Sequence, residues 1–149
     1  MRRFLIALLV ASSIAGPACA QSTGRTYLTS PVAARNHLPF SSGVLVGNVL
    51  YIAGTTGVSP GMKNTFTLTQ EARAVMDNVK RVVERAGMTM DDVVSVQVFC
   101  TNLSDYGAFN RVYATYFRKN YPARAFIGAS NLLFGARYEV TGIAVRPQP

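Results

Sequence analysis

The chain has 149 residues, 49% of them hydrophobic, enough for one globular domain with a substantial core and too few for two. Lys and Arg number 15 against 7 Asp and Glu, a formal net charge of +8. The cations are scattered, with no block of five or six, which argues against a nucleic-acid partner and for a general attraction to anions.

The first twenty residues read as a signal peptide. Arg2 and Arg3 give a positive start, Phe4 to Ile14 an apolar run, and Ala18-Cys19-Ala20 a small-residue site, so cleavage is expected after Ala20. The apolar run is too short to span a hydrocarbon layer of roughly 30 Å. A periplasmic or secreted location follows, with no membrane partner after cleavage. A lipoprotein reading of Cys19 fits less well, because Gly16-Pro17-Ala18 is a poor match to the run that precedes a lipidated cysteine. Cleavage lowers the basic count to 13 and leaves a net charge of +6. It also leaves Cys100 alone, which excludes a disulfide within the chain. In the apolar run Val96-Gln97-Val98-Phe99-Cys100 that thiol reads as a small buried hydrophobe rather than a nucleophile.

Residues 21–35 read as a linker or a loosely held first strand, and residues 36–149 as a single domain. Gly43 to Gly54 holds two β-runs joined at Gly47-Asn48, hairpin chemistry, and Gly57 to Lys63 is a loop. Thr67 and Gln70 form a capping box ahead of a helix. Its apolar stripe is Ala72, Val75, Met76, Val79, Val82, Val83 and Ala86; Lys80-Arg81 lies on its solvated face, and Gly87 closes it. Val93 to Thr101 is a strand. A second helix follows, with Ser104 as its cap and Phe109, Val112, Tyr113, Tyr116 and Phe117 inward. Arg124 to Ser130 and Ala136 to Val145 are the last two strands. This order gives an α+β fold, a mixed sheet with both helices on one face. The other sheet face is left for a partner subunit.

The catalytic inventory is short. His37 is the one histidine and sits in a loop-like stretch, no His, Cys or carboxylate cluster has metal-ligand spacing, and neither a metal nor a cofactor is expected. Gly54-Thr55-Thr56-Gly57 lacks the Lys-Ser/Thr of a phosphate loop. Two charged residues stand on mostly apolar strands, Arg124 and Glu139. An ionised carboxylate buried there requires a partner or a raised pKa, so a structural Arg124–Glu139 salt bridge is one reading of the pair, and a functional site is the other.

Pro122-Ala123-Arg124-Ala125-Phe126-Ile127, then Gly128-Ala129-Ser130-Asn131-Leu132 and Glu139-Val140, resembles the signature segment of the RidA/YjgF family of reactive-intermediate deaminases. Pro39-Phe40-Ser41-Ser42-Gly43, Ile52-Ala53-Gly54-Thr55, Asn78 with Ala86-Gly87, and Phe109-Asn110-Arg111-Val112-Tyr113 extend the likeness over nearly the whole mature chain. The resemblance implies a chorismate-mutase-like fold assembled as a homotrimer with clefts between subunits. It implies hydrolysis of enamine and imine intermediates, such as 2-aminoacrylate, to 2-keto acids and ammonia. Arg124 matches the arginine that grips the substrate carboxylate, and Glu139 the acid that positions the attacking water. Asn110 and the backbone around Gly54 and Phe126 match positions lining the cleft. Phe40 stands where the deaminases carry tyrosine, and Phe126 where a smaller residue is usual, which narrows the pocket. A non-catalytic trimer that binds a small carboxylate, or acts as a holdase, is the alternative. Ribonuclease action, a label given to some members, fits the scattered cations and the address less well.

Overall fold

The computed structural model describes residues 24–147. The expected signal peptide, its cleavage point and Cys19 lie outside the described residues. The chain runs β1 (Arg25–Leu28), α1 (Pro31–Arg35), β2 (Gly43–Val46), β3 (Val49–Thr56), α2 (Leu68–Arg85), β4 (Val93–Cys100), α3 (Tyr106–Tyr113), β5 (Ala123–Gly128) and β6 (Tyr138–Val145). The strands form one six-stranded sheet in the order β1-β2-β3-β6-β4-β5. Only β4 and β5 pair in parallel. The first strand is a full member, paired along its length with β2. The short α1 that follows it was not foreseen. Ser30 caps it by accepting a hydrogen bond from the Ala33 amide at 3.0 Å, and Pro31 opens it.

Local chemistry accounts for the other elements. Gly47 takes φ 59° in the β2–β3 turn, a left-handed conformation that suits glycine. At α2 the capping box forms as expected: the Gln70 amide donates to Thr67 Oγ1, and the Thr67 amide donates to Gln70 Oε1 at 2.9 Å. Every residue of the expected apolar stripe from Ala72 to Ala86 is buried. Ser104 is not the cap of α3. Its amide and hydroxyl instead donate to Asn102 Oδ1 in a 3-10 turn, and α3 starts at Tyr106 with no side-chain cap. Tyr116 and Phe117 lie beyond α3 and are only half-buried, with the Tyr116 hydroxyl donating to Asp77 Oδ1 at 2.6 Å.

Both α2 and α3 cover the same face of the sheet. Phe109 of α3 sits with its ring centroid 5.0 Å from Tyr138 and 5.6 Å from Phe126, joining helix, β6 and β5 in one core. Side chains alternate across a strand, so register assigns faces. Arg124 pairs with Val96, and Phe126 with Val98; Val96 and Val98 are buried under the helices, so Arg124 and Phe126 share that face. Glu139 pairs with Phe99 and Thr56, and Ile143 with Tyr51, on the face that no helix covers. Tyr51 there remains 52% exposed.

Candidate functional site

Arg124 emerges at the edge strand β5 beneath α3. Its guanidinium lies over the Tyr113 ring, 4.5 Å from the centroid, with the Tyr106 and Phe126 rings at 5.6 and 5.7 Å. Such faces attract a cation without neutralising it. One N–H donates to Asn110 Oδ1 at 2.7 Å. No carboxylate lies within ion-pair distance of Arg124 among the described residues; the ion pairs there are Lys80–Glu84 and Glu71–Arg137. A guanidinium has five N–H donors in a planar fork, so most of its capacity to hold a carboxylate is free. A cavity of about 390 Å³ opens beside it, lined by Asn110, Tyr113, Ala114, Tyr121, Pro122 and Arg124 itself.

The aromatic walls are electrostatically distinct. The Asn110 side chain, followed by the Arg124 charge, holds the Tyr106 phenol below its usual range. Burial pushes Tyr113 the other way, up to about 12, although Arg124 opposes it. Burial likewise raises the Cys100 thiol, which donates to the Asn102 carbonyl at 3.0 Å; it behaves as the small buried hydrophobe the sequence suggests. Phe126 does not line the Arg124 cavity. Its ring packs edge-on against Tyr106 at 5.1 Å and against Phe109.

Glu139 belongs to a different constellation. The β3–β6 register shifts between Ile52 and Thr55, and Gly54 lies in that irregular stretch. A Cβ at Gly54 would meet the end of the Glu139 carboxylate, so the glycine leaves that side chain room beside the strand. The Glu139 side chain makes no hydrogen bond or ion pair among the described residues and is half-buried rather than enclosed. Gly54 and Phe40 share a second cavity of about 370 Å³ that also meets Ser42 and Asn78. Phe40 is 55% exposed at its edge.

The expected site residues therefore fall into two groups within one chain. Arg124 and Phe126 lie under α3, which carries Asn110; Glu139, Gly54 and Phe40 lie around β3. Three strand spacings, roughly 14 Å, separate β3 from β5, and Arg124 and Glu139 point to opposite sheet faces. The salt bridge that would join them does not form. Glu71, which is fully buried, pairs instead with the part-exposed Arg137 at 2.6 Å and also accepts from Asn64 Nδ2 at 2.8 Å. Sequence reasoning missed Glu71, although its place beside Ala72 and four residues before Val75 puts it on the inward stripe. It also missed Tyr106 and Tyr113 as walls of the Arg124 cradle; the clue was an aromatic run on the helix ahead of a strand whose second residue is arginine. His37 is exposed in a loop, as expected. Among the described residues, no three His, Cys, Asp or Glu side chains are grouped to hold a metal ion, and no helix is long and apolar enough to cross a membrane.

A family model described as Endoribonuclease L-PSP matches residues 31–146. The chain belongs to this family, the RidA/YjgF proteins. A 2-iminobutanoate/2-iminopropanoate deaminase of Dermatophagoides farinae is 35% identical over 120 residues, 79% of this chain and 94% of its own. The YjgF gene product of E. coli has the same fold, with a TM-score of 0.68 at 32% identity over 74% of this chain and 90% of its own. The E. coli TdcF structure, which contains bound serine, gives a TM-score of 0.68 at 29% identity, covering 73% and 89%. In this chain β5 lies at the sheet edge and β6 near its centre, and this is what separates the two groups.

Proposed function

We propose that the protein is a hydrolytic deaminase that converts enamine and imine intermediates of the 2-aminoacrylate type to 2-keto acids and ammonia. In this reading it acts as a homotrimer, with Arg124 of one subunit facing Glu139 and Gly54 of the next. The observation that carries the reading is Arg124: a cation that donates to Asn110 and lies against Tyr106, has no carboxylate partner among the described residues and borders a cavity. The opposite faces of Arg124 and Glu139 support a site completed by a neighbour, and the uncovered sheet face supplies a surface for one.

The chemistry asks little of the protein. The Arg124 fork holds the substrate carboxylate and fixes the imine carbon in place. An enamine first takes a proton at carbon to become the imine. Glu139 orients a water and accepts its proton as oxygen attacks that carbon; the C=N electron pair moves to nitrogen, which is protonated. Collapse of the carbinolamine breaks the C–N bond, releases ammonia and leaves the keto group. One water is consumed for each ammonia released.

A second reading rests on Phe40, whose ring has no hydroxyl to bond a substrate: a trimer that binds a small carboxylate without turning it over. Export with cleavage after Ala20 remains part of the proposal, supported by the order of charged, apolar and small residues in the first twenty. N-terminal sequencing of protein recovered from outside the cytoplasm tests it.

Offering the purified mature protein 2-aminoacrylate, generated from serine by a dehydratase, tests the activity. Accelerated loss of the imine that disappears in Arg124→Ala is the expected result. No turnover, with 2-keto acid binding still dependent on Arg124, transfers the conclusion to the binding reading. Binding and turnover that ignore Arg124 overturn both.

A further inference from the structure

The cavity shared by Gly54 and Phe40 has a feature that imine hydrolysis does not use. Arg81 and Arg85, one turn apart on α2, both border it. Like charges at that spacing repel, and neither has a carboxylate within ion-pair distance among the described residues. Glu84, which lies between them in sequence, pairs with Lys80 instead, at 3.7 Å.

The two guanidiniums are also held rather than free. Arg81 donates to Asn78 Oδ1, and Asn78 in turn donates to the Thr56 carbonyl at 2.7 Å, tying the cation to the strand segment that bears Gly54. Arg85 donates to the Thr29 carbonyl at 2.8 Å, just before the turn whose Ser30, Pro31 and Val32 close the other side of the cavity. Each retains most of its N–H groups. Two oriented cations with no counter-charge, above apolar walls of Pro31, Val32 and Val82, make a receptor for an anionic group carried on a short methylene chain.

We propose that Arg81 and Arg85 form a second anion subsite, so that the preferred substrate is the imine of a dicarboxylic amino acid. The α-carboxylate goes to Arg124 of the adjoining subunit and the side-chain carboxylate to this pair. The inference rests on the inter-subunit cleft of the preceding section and adds the substrate class. Arg81 is exposed, as expected of the solvated helix face, and with the equally exposed Arg85 it rims the cavity.

Calorimetry on the full mature protein with the stable products 2-oxoglutarate and pyruvate tests the subsite. Kinetics with the imines made in place from glutamate and alanine by amino-acid oxidases run alongside. The expected result is binding of 2-oxoglutarate about tenfold tighter than pyruvate. In the Arg81→Gln/Arg85→Gln double variant the ratio falls to about one, through KM rather than kcat, while alanine-derived imine turnover stays within about twofold. Arg85→Gln alone gives the same reading if the double variant melts early. Equal affinity in the unmodified protein, or a preference that survives the substitutions, overturns the subsite whether or not imines are hydrolysed. A preference that behaves as expected without turnover of either imine retains the subsite and removes the deaminase reading.

Discussion

Arg124 and Gly54 show how much a single residue decides here. At Gly54 the absence of a Cβ makes room for the Glu139 carboxylate, so Gly54→Ala must push that group aside. The carboxylate is the mobile end of a half-buried side chain, so the thermal midpoint should hardly move. Turnover should fall on the order of 100-fold, the usual worth of a positioned acid or base. A large stability loss with turnover retained would show the glycine to be structural. Tyr113 makes a pH-dependent prediction. Its hydroxyl is buried with no hydrogen-bond partner, and its phenol is raised to about 12 from an ordinary 10. Between those values the unfolded chain loses a proton that the folded one keeps, so stability is complete below pH 10 and declines as pH rises towards 12. Tyr113→Phe should change stability at pH 7 by less than about 1 kcal/mol and flatten that decline in urea titrations. The sequence named Arg124, Glu139, Gly54 and Asn110 through a motif. It could not say that Arg124 and Glu139 face apart, because the faces of residues on different strands depend on register, which no local pattern encodes.

Helix α2 ties the fold together. Its apolar stripe was legible from spacing alone, and so was its capping box; Thr67→Ala should cost about 1 kcal/mol in chemical denaturation. Glu71 was not legible as a buried anchor, since a first-turn acid ordinarily faces solvent beside the helix dipole. In the fold it meets both the guanidinium and the backbone amide of Arg137, holding the start of β6 against the start of α2. Arg137→Ala leaves a buried carboxylate without its cation but with its amide donors, and should cost about 1.5–3 kcal/mol. If urea unfolding shows a loss below about 1 kcal/mol, the pair is not the clamp described. Helix α1 was missed because five residues carry too little periodicity, although Ser30-Pro31 is a start signal.

For the molecule as a whole, the two sheet faces differ in what covers them. Tyr51, Phe99, Ile127 and Ile143 occupy the face that no helix covers, an apolar surface of the kind that soluble chains bury. In the proposed trimer this face is shared, and Ile143→Asp at its centre should give monomers by sedimentation velocity and abolish turnover. Trimers that persist would place the contact elsewhere. That one sheet face is left uncovered was legible from the one-sided arrangement of helices; the trimer proposed for it came only from resemblance. The opposed directions of Arg124 and Glu139 then imply genetic complementation. Subunits lacking the arginine and subunits lacking the acid are each inert alone. Co-refolded in equal amounts, they should rebuild intact clefts at about one junction in four, because each junction draws its halves independently from different chains.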